Sequence, residues 1–132
     1  RMKHKNSLIG ATICIISGIC LGAIGAHSLE PILSETALES FKTGVNYQIY
    51  HGLSILILFL LAEQLKTNLI WSIRFMFIGI ICFSGSIYLL ALKSLIGLES
   101  LTSILGPVTP IGGLSLIIAW VIFLVVLLRL KK

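Results

Sequence analysis

The sequence predicts an all-α fold: an integral membrane bundle of four spanning helices, with short interfacial helices in its two outer loops. Two observations predict it. Ser7–Ala26, Thr43–Ala62 and Pro110–Leu128 hold no charged residue, and Leu69–Leu92 holds only Arg74. Each stretch is close to the roughly 20 apolar residues that cross a bilayer. The composition agrees, with 57% of the 132 residues hydrophobic and 11% charged. The mean hydropathy of +1.06 is too high for a soluble core and surface. Hydrocarbon offers no partner to backbone N–H and C=O groups, so the spans must be helices. One domain covers residues 1–132, with spans at about 8–26, 45–63, 69–92 and 110–128. The first stretch is followed by three more, so it reads as a true span and not as a cleaved signal.

Lys and Arg placement orients the chain. Lys3 and Lys5 precede span one, Lys66 and Arg74 flank the link between spans two and three, and Arg129, Lys131 and Lys132 follow span four. All fall on one side of a four-span chain. The other side has Lys42 and Lys93 beside Glu30, Glu35, Glu39 and Glu99. Both termini are therefore expected in the cytoplasm. Nucleic acid is not an expected partner, because the basic residues are scattered at span ends and form no basic face. Cys14, Cys20 and Cys82 all lie inside spans without a CxxC pair, so they read as small buried hydrophobes and not as disulfides.

In span one, Gly10, Cys14, Gly18, Gly22 and Ala26 recur every fourth residue. This stripe lets another backbone approach closely. Gly10, Gly18, Gly22 and Ala26 are thus packing positions, and span one is expected at the centre of the bundle. In the first outer loop Pro31 breaks the helix. Thr36 with Glu39 fits a capping box, so a helix is expected to start there and lie on the membrane surface or against the other spans, with Gly44 permitting a bend. Span two opens on Asn46-Tyr47-Gln48-Ile49-Tyr50-His51 and turns almost wholly to Leu and Ile beyond Ser54. Trp71 and Arg74 suit the inner interface of span three. Its outer half holds Phe83-Ser84-Gly85-Ser86 and Tyr88. In the second outer loop, Leu95, Leu98, Leu101 and Leu105 suggest a short interfacial helix stopped by Gly106-Pro107. Thr109 is then placed to cap span four, with Pro110 at its first position and Gly112-Gly113 following.

The polar residues gather at the outer ends. The candidate cluster is His27, Asn46, Tyr47, Gln48, Tyr50, His51, Ser84, Ser86, Tyr88, Thr109, Gly112 and Gly113. Counted from Val45, His51 lies about 9 Å down span two, and Ser86 lies about 10 Å below Lys93. The matched depths predict one network containing both, with His27 at its rim. Two histidines on two helices could hold a haem, but zinc wants three or four ligands. Histidines bonded to Ser, Tyr or backbone are the simpler reading, and no metal or cofactor is expected. There is no Ser-His-acid order, phosphate-cradling loop or paired carboxylate.

The same residues carry a family resemblance. Gly22-Ala23-Ile24-Gly25-Ala26-His27, Tyr47-Gln48-Ile49-Tyr50-His51-Gly52, Phe83-Ser84-Gly85-Ser86-Ile87-Tyr88 and Thr109-Pro110-Ile111-Gly112-Gly113 resemble, in order and spacing, the motifs of the uncharacterised bacterial membrane protein family 0382, the domain of unknown function 423. A small mitochondrial membrane protein of animals is similar. The chain departs from the family pattern at Ile24, where Phe is frequent, and at Ser28, where Gly is frequent. The resemblance implies a four-helix bacterial inner-membrane protein and supplies no activity. The expected function is non-enzymatic. The outer-side cluster would bind a membrane lipid, a small ligand or a partner subunit, either a second copy or another membrane protein. A small oligomeric transporter or channel component, and a haem- or metal-binding protein, are the alternatives.

Overall fold

A computed structural model describes residues 4–131. These form α1 (Lys5–Ile24), α2 (Glu35–Gln64), α3 (Ile70–Gly79), α4 (Gly85–Ile96) and α5 (Thr102–Arg129). Gly25–Leu29 continues α1 as a π turn, and Ile80–Ser84 joins α3 to α4 as another. The result is four helical spans: Lys5–Leu29, Glu35–Gln64, Ile70–Ile96 and Glu99–Arg129. Every one is long and apolar enough to cross a bilayer. Four crossings place both ends of the chain on one side. The opposite, distal end carries the links around residues 30–34 and 97–101.

The spans pack in chain order, one on two, two on three and three on four. No Cα of α1 comes within 8 Å of the third or fourth span, and α2 and α5 are likewise apart. Span one is therefore an edge helix, contrary to its expected central place. Its small residues lie on one face only, and Ile9, Ile13, Ile16 and Ile19 on the other face are exposed to lipid. Gly18 lies against Ile49 and Gly22 against Val45, while Gly10 meets Phe77. Ala26 is exposed. The π turn advances the helix face by a residue, so Gly25 is the one that is buried, on Phe41.

Three expected boundaries move. Ser34, not Thr36, caps α2: its hydroxyl accepts from the Ala37 N–H at 3.2 Å. The helix then runs unbroken through Gly44 to Gln64, because burying Phe41 and Val45 holds its first turns against the bundle. The distal surface helix is thus the start of span two itself. In the second link only a 3₁₀ turn, Glu99–Leu101, remains. Span three extends to Ile96 and ends at Gly97, which takes the left-handed conformation (φ 69°) that suits glycine at a C-cap. Finally α5 starts at Thr102 and passes through both Pro107 and Pro110. Thr109 is an interior residue and not a cap. Each proline removes one helical N–H, but a span in hydrocarbon gains more by staying helical than by breaking.

Two apolar layers result. Ala11, Ile55, Leu58, Leu69, Ile73, Met76, Ile80 and Ala119 pack at the terminal side. Leu29, Phe41, Val45 and Ala91 pack at the distal side. Buried Gln48, His51, Ser84 and Ser86 sit between them along the chain.

Candidate functional site

The buried polar residues sort into separate interhelical clamps. Gln48 is the hub of the first. Its Nε2 donates to the Cys14 carbonyl at 2.8 Å and to Ser17 Oγ at 2.7 Å on α1. Its Oε1 accepts from the Tyr88 hydroxyl at 2.6 Å on α4. One amide thereby ties three spans together. Ser84, released onto the α2 side by the π turn, donates to the Gly44 carbonyl at 2.6 Å. Gly44 permits this because its face lies against Ile87 and Tyr88.

A second set joins spans three and four. Ser86 Oγ and Thr109 Oγ1 are 2.6 Å apart, and Ser86 also donates to the Phe83 carbonyl at 3.1 Å. Ser115 donates to the Phe75 carbonyl and Ser72 to the Ala119 carbonyl, both at 2.7 Å. Gly112 is pressed onto the backbone of Phe83 and Cys82, and this close approach lets the short Ser and Thr hydroxyls reach across.

His51 makes the third. Trp120 Nε1 donates to His51 Nε2 at 3.1 Å, and Nδ1 lies 2.8 Å from the Tyr47 carbonyl. Nε2 accepts, so Nδ1 carries the proton and donates: a neutral imidazole with both nitrogens used. His51 and Ser86 share no partner, so the single network expected from matched depth does not form. Depth alone ignored the about 100° between successive helical residues, which turns the two side chains to different neighbours. Among the described residues no buried side-chain N or O lacks a partner.

His27 and Asn46 stand apart. Both are exposed, His27 on the π turn of span one. Neither joins the clamps. The sequence reading missed Trp120, Ser17, Ser72 and Ser115. Trp120 had a signal: an indole deep in an apolar run has left the interfacial belt and needs a partner for its N–H.

Two open grooves flank these clamps. The lateral one, about 560 Å³, is lined by Tyr47, Tyr50, His51, Phe83, Gly113, Leu116, Ile117 and Trp120. The Tyr47 and Phe83 rings stack at 4.9 Å. The distal one, about 590 Å³, has an apolar floor of Ile87, Leu90 and Ala91, with Ser34, Thr36 and Ser40 on its span-two wall and Thr109 on its span-four wall. They lie end to end on the same helix faces. On α5 the lining runs from Gly106 through Thr109, Pro110, Gly113 and Leu116 to Trp120, at the three- and four-residue steps of one stripe. Together they form a cleft between spans two and four, floored by span three and crossed at its lower end by the His51–Trp120 bond. Among the described residues no three His, Cys, Asp or Glu side chains gather to hold a metal.

Residues 21–113, which contain this cleft's floor and most of its walls, match the family described as Protein of unknown function (DUF423). The chain belongs to this family. A UPF0382 membrane protein of Staphylococcus haemolyticus is 37% identical over 92% of this chain and 93% of the relative. The UPF0382 membrane protein YwdK of Bacillus subtilis is 37% identical over 89% of this chain and 91% of its own length. The UPF0382 inner membrane protein YgdD of Escherichia coli K12 is 35% identical over 99% and 95%. No solved structure matches. The first expected motif spans the junction of α1 and its π turn, the second holds the hub and groove residues of span two, the third spans the junction of the second π turn and α4, and the fourth holds the close crossing of span four.

Proposed function

We propose that this chain is a non-enzymatic inner-membrane protein that holds one bilayer lipid in the cleft between spans two and four. The observation that supports this reading is the order of chemistry along the cleft. Hydroxyls line its distal part, aromatic and aliphatic side chains line the part below, and the His51–Trp120 bond crosses its end. From Thr36 to His51 on α2 is about 22 Å, and from Gly106 to Trp120 on α5 about 21 Å. That is about half of the 40–45 Å thickness of a whole bilayer, the length of one lipid. An empty groove facing hydrocarbon would fill with acyl chains in any case, so affinity depends on the polar end.

Other readings have less support. Below His51, span two runs Gly52–Ala62 with Ser54 as its one polar side chain, and that hydroxyl turns back onto the Tyr50 carbonyl. This is a poor path for a polar solute. His51 has no free nitrogen for haem iron. The relative YgdD is named an inner membrane protein, and the Lys and Arg pattern supports a distal end, and so a lipid, in the leaflet away from the cytoplasm.

The test is lipid retention. Native mass spectrometry of the protein released from nanodiscs should show one tightly held phospholipid. Gly113→Leu fills the lateral groove and Ser40→Leu fills the distal one, and either should reduce the lipid-bound fraction. Thr12→Leu, on the exposed face of α1, should leave it unchanged. Equal retention in all three variants would remove the cleft as the site.

A further inference from the structure

We infer that the distal groove selects a phospholipid whose headgroup carries both a phosphate and a primary ammonium, as phosphatidylethanolamine does. The inference rests on the lipid-holding cleft proposed above and names the class of lipid. Its basis is the arrangement of charge at the groove mouth. On the span-four side, Lys93 Nζ donates to Thr102 Oγ1 at 3.2 Å. Thr102 lies one helical turn beyond Gly106, a groove-lining residue, so this ammonium is tethered about one turn from the groove's span-four lining, with N–H donors to spare. The Thr102 hydroxyl in turn donates to the Glu99 carbonyl at 2.8 Å, which fixes the point to which Lys93 is tethered. On the span-two side, Thr36 and Ser40 supply hydroxyl donors from the groove wall. Glu39 is next to Ser40, exposed, and turned about 100° from it toward the lipid-facing flank.

The mouth thus has a cation on its span-four side, and hydroxyls with a carboxylate next to them on its span-two side. A phosphate suits Lys93 with the Ser40 and Thr36 hydroxyls, through charge-assisted bonds. An ammonium suits Glu39. The remaining charged groups at this end point the same way. Glu30, Glu35 and Glu99 are acidic, and Lys42 is the other base. A purely anionic headgroup would meet this acidic surplus, whereas a zwitterion brings the matching positive charge. A quaternary ammonium has no N–H to donate to Glu39 and would gain less.

The experiment uses the full chain in nanodiscs of equal phosphatidylethanolamine, phosphatidylglycerol and phosphatidylcholine, with the retained lipid identified by mass. The parent should retain phosphatidylethanolamine about fivefold over either of the other two lipids, the effect of about one surface charge interaction. Glu39→Gln should erase the preference over phosphatidylglycerol, and Lys93→Gln should lower retention of every phospholipid. Glu39 is exposed and Lys93 half-buried, and thermal unfolding checks that the fold is kept. A retained lipid that mirrors the nanodisc composition, or is enriched in phosphatidylglycerol or phosphatidylcholine, overturns the headgroup inference and leaves the lipid cleft standing. No retained lipid at all overturns the cleft itself.

Discussion

Trp120 and His51 join two spans whose backbones do not otherwise meet. The 3.1 Å bond from the indole N–H to Nε2 crosses between α2 and α5, which have no Cα pair within 8 Å. It lies well inside the membrane: His51 is nine residues from Lys42 and twelve from Glu63, about 14 and 18 Å along the helix. His51→Ala should cost about 1–3 kcal/mol, since it leaves the indole N–H unpaired in an apolar setting. Trp120→Phe keeps a ring in place but leaves His51 Nε2 without its donor, so it should also cost about 1–3 kcal/mol. Thermal unfolding in one detergent measures both. No loss for Trp120→Phe would mean that ring packing, not the hydrogen bond, joins these spans.

Adjacent glycines in span four should respond in opposite ways. A Cβ on Gly112 would strike the backbone N of Phe83 in the π turn, and backbone cannot swing aside. A Cβ on Gly113 would meet the Phe83 ring at 3.6 Å, an ordinary contact. Gly112→Ala should therefore lose about 3 kcal/mol, the upper part of the overpacking range. Gly113→Ala should be neutral or gain up to about 1 kcal/mol from helix propensity. Matching melting temperatures for the two variants would show that spans three and four can separate without cost.

The Gln48 clamp makes a non-additive prediction. Gln48→Leu leaves the Tyr88 hydroxyl without its acceptor, whereas Ser17 keeps its own bond to the Ile13 carbonyl at 2.7 Å. Tyr88→Phe leaves Gln48 Oε1 unpaired. Each single change should cost about 1–3 kcal/mol. The double variant leaves neither group orphaned, so its cost should fall short of the sum by at least about 0.5 kcal/mol. Strict additivity in a double-mutant cycle would show that the 2.6 Å contact carries no coupling.

The four spans were legible because bilayer thickness sets a length and hydrocarbon forbids charge, and both constraints act on the sequence directly. Which faces meet was less legible. Gly18 and Gly22 report close approach by their size, yet nothing in them says whether one helix or several approach. The prolines at 107 and 110 read as a boundary in water and are interior in this span. Most of the polar candidates were visible as residue types. Their pairing was not, because a hydrogen bond such as Ser86 to Thr109 or Gln48 to Cys14 depends on the rotation of two helices about their axes. Trp120 was passed over because its partner is 69 residues away.

Orientation remains the property on which the leaflet of the proposed lipid depends. Thr36 lines the distal groove, and Thr67 lies in the link between spans two and three at the terminal end. With Cys14, Cys20 and Cys82 replaced, Thr36→Cys should react with a membrane-impermeant maleimide in intact cells, and Thr67→Cys should react only after the membrane is opened. The basic residues flanking the terminal side motivate this expectation, since loops rich in Lys and Arg favour the cytoplasm. The reverse labelling pattern would place the hydroxyl-lined groove in the cytoplasmic leaflet. The Lys66 and Arg129 side would then face outward, against the charge rule that orients the chain.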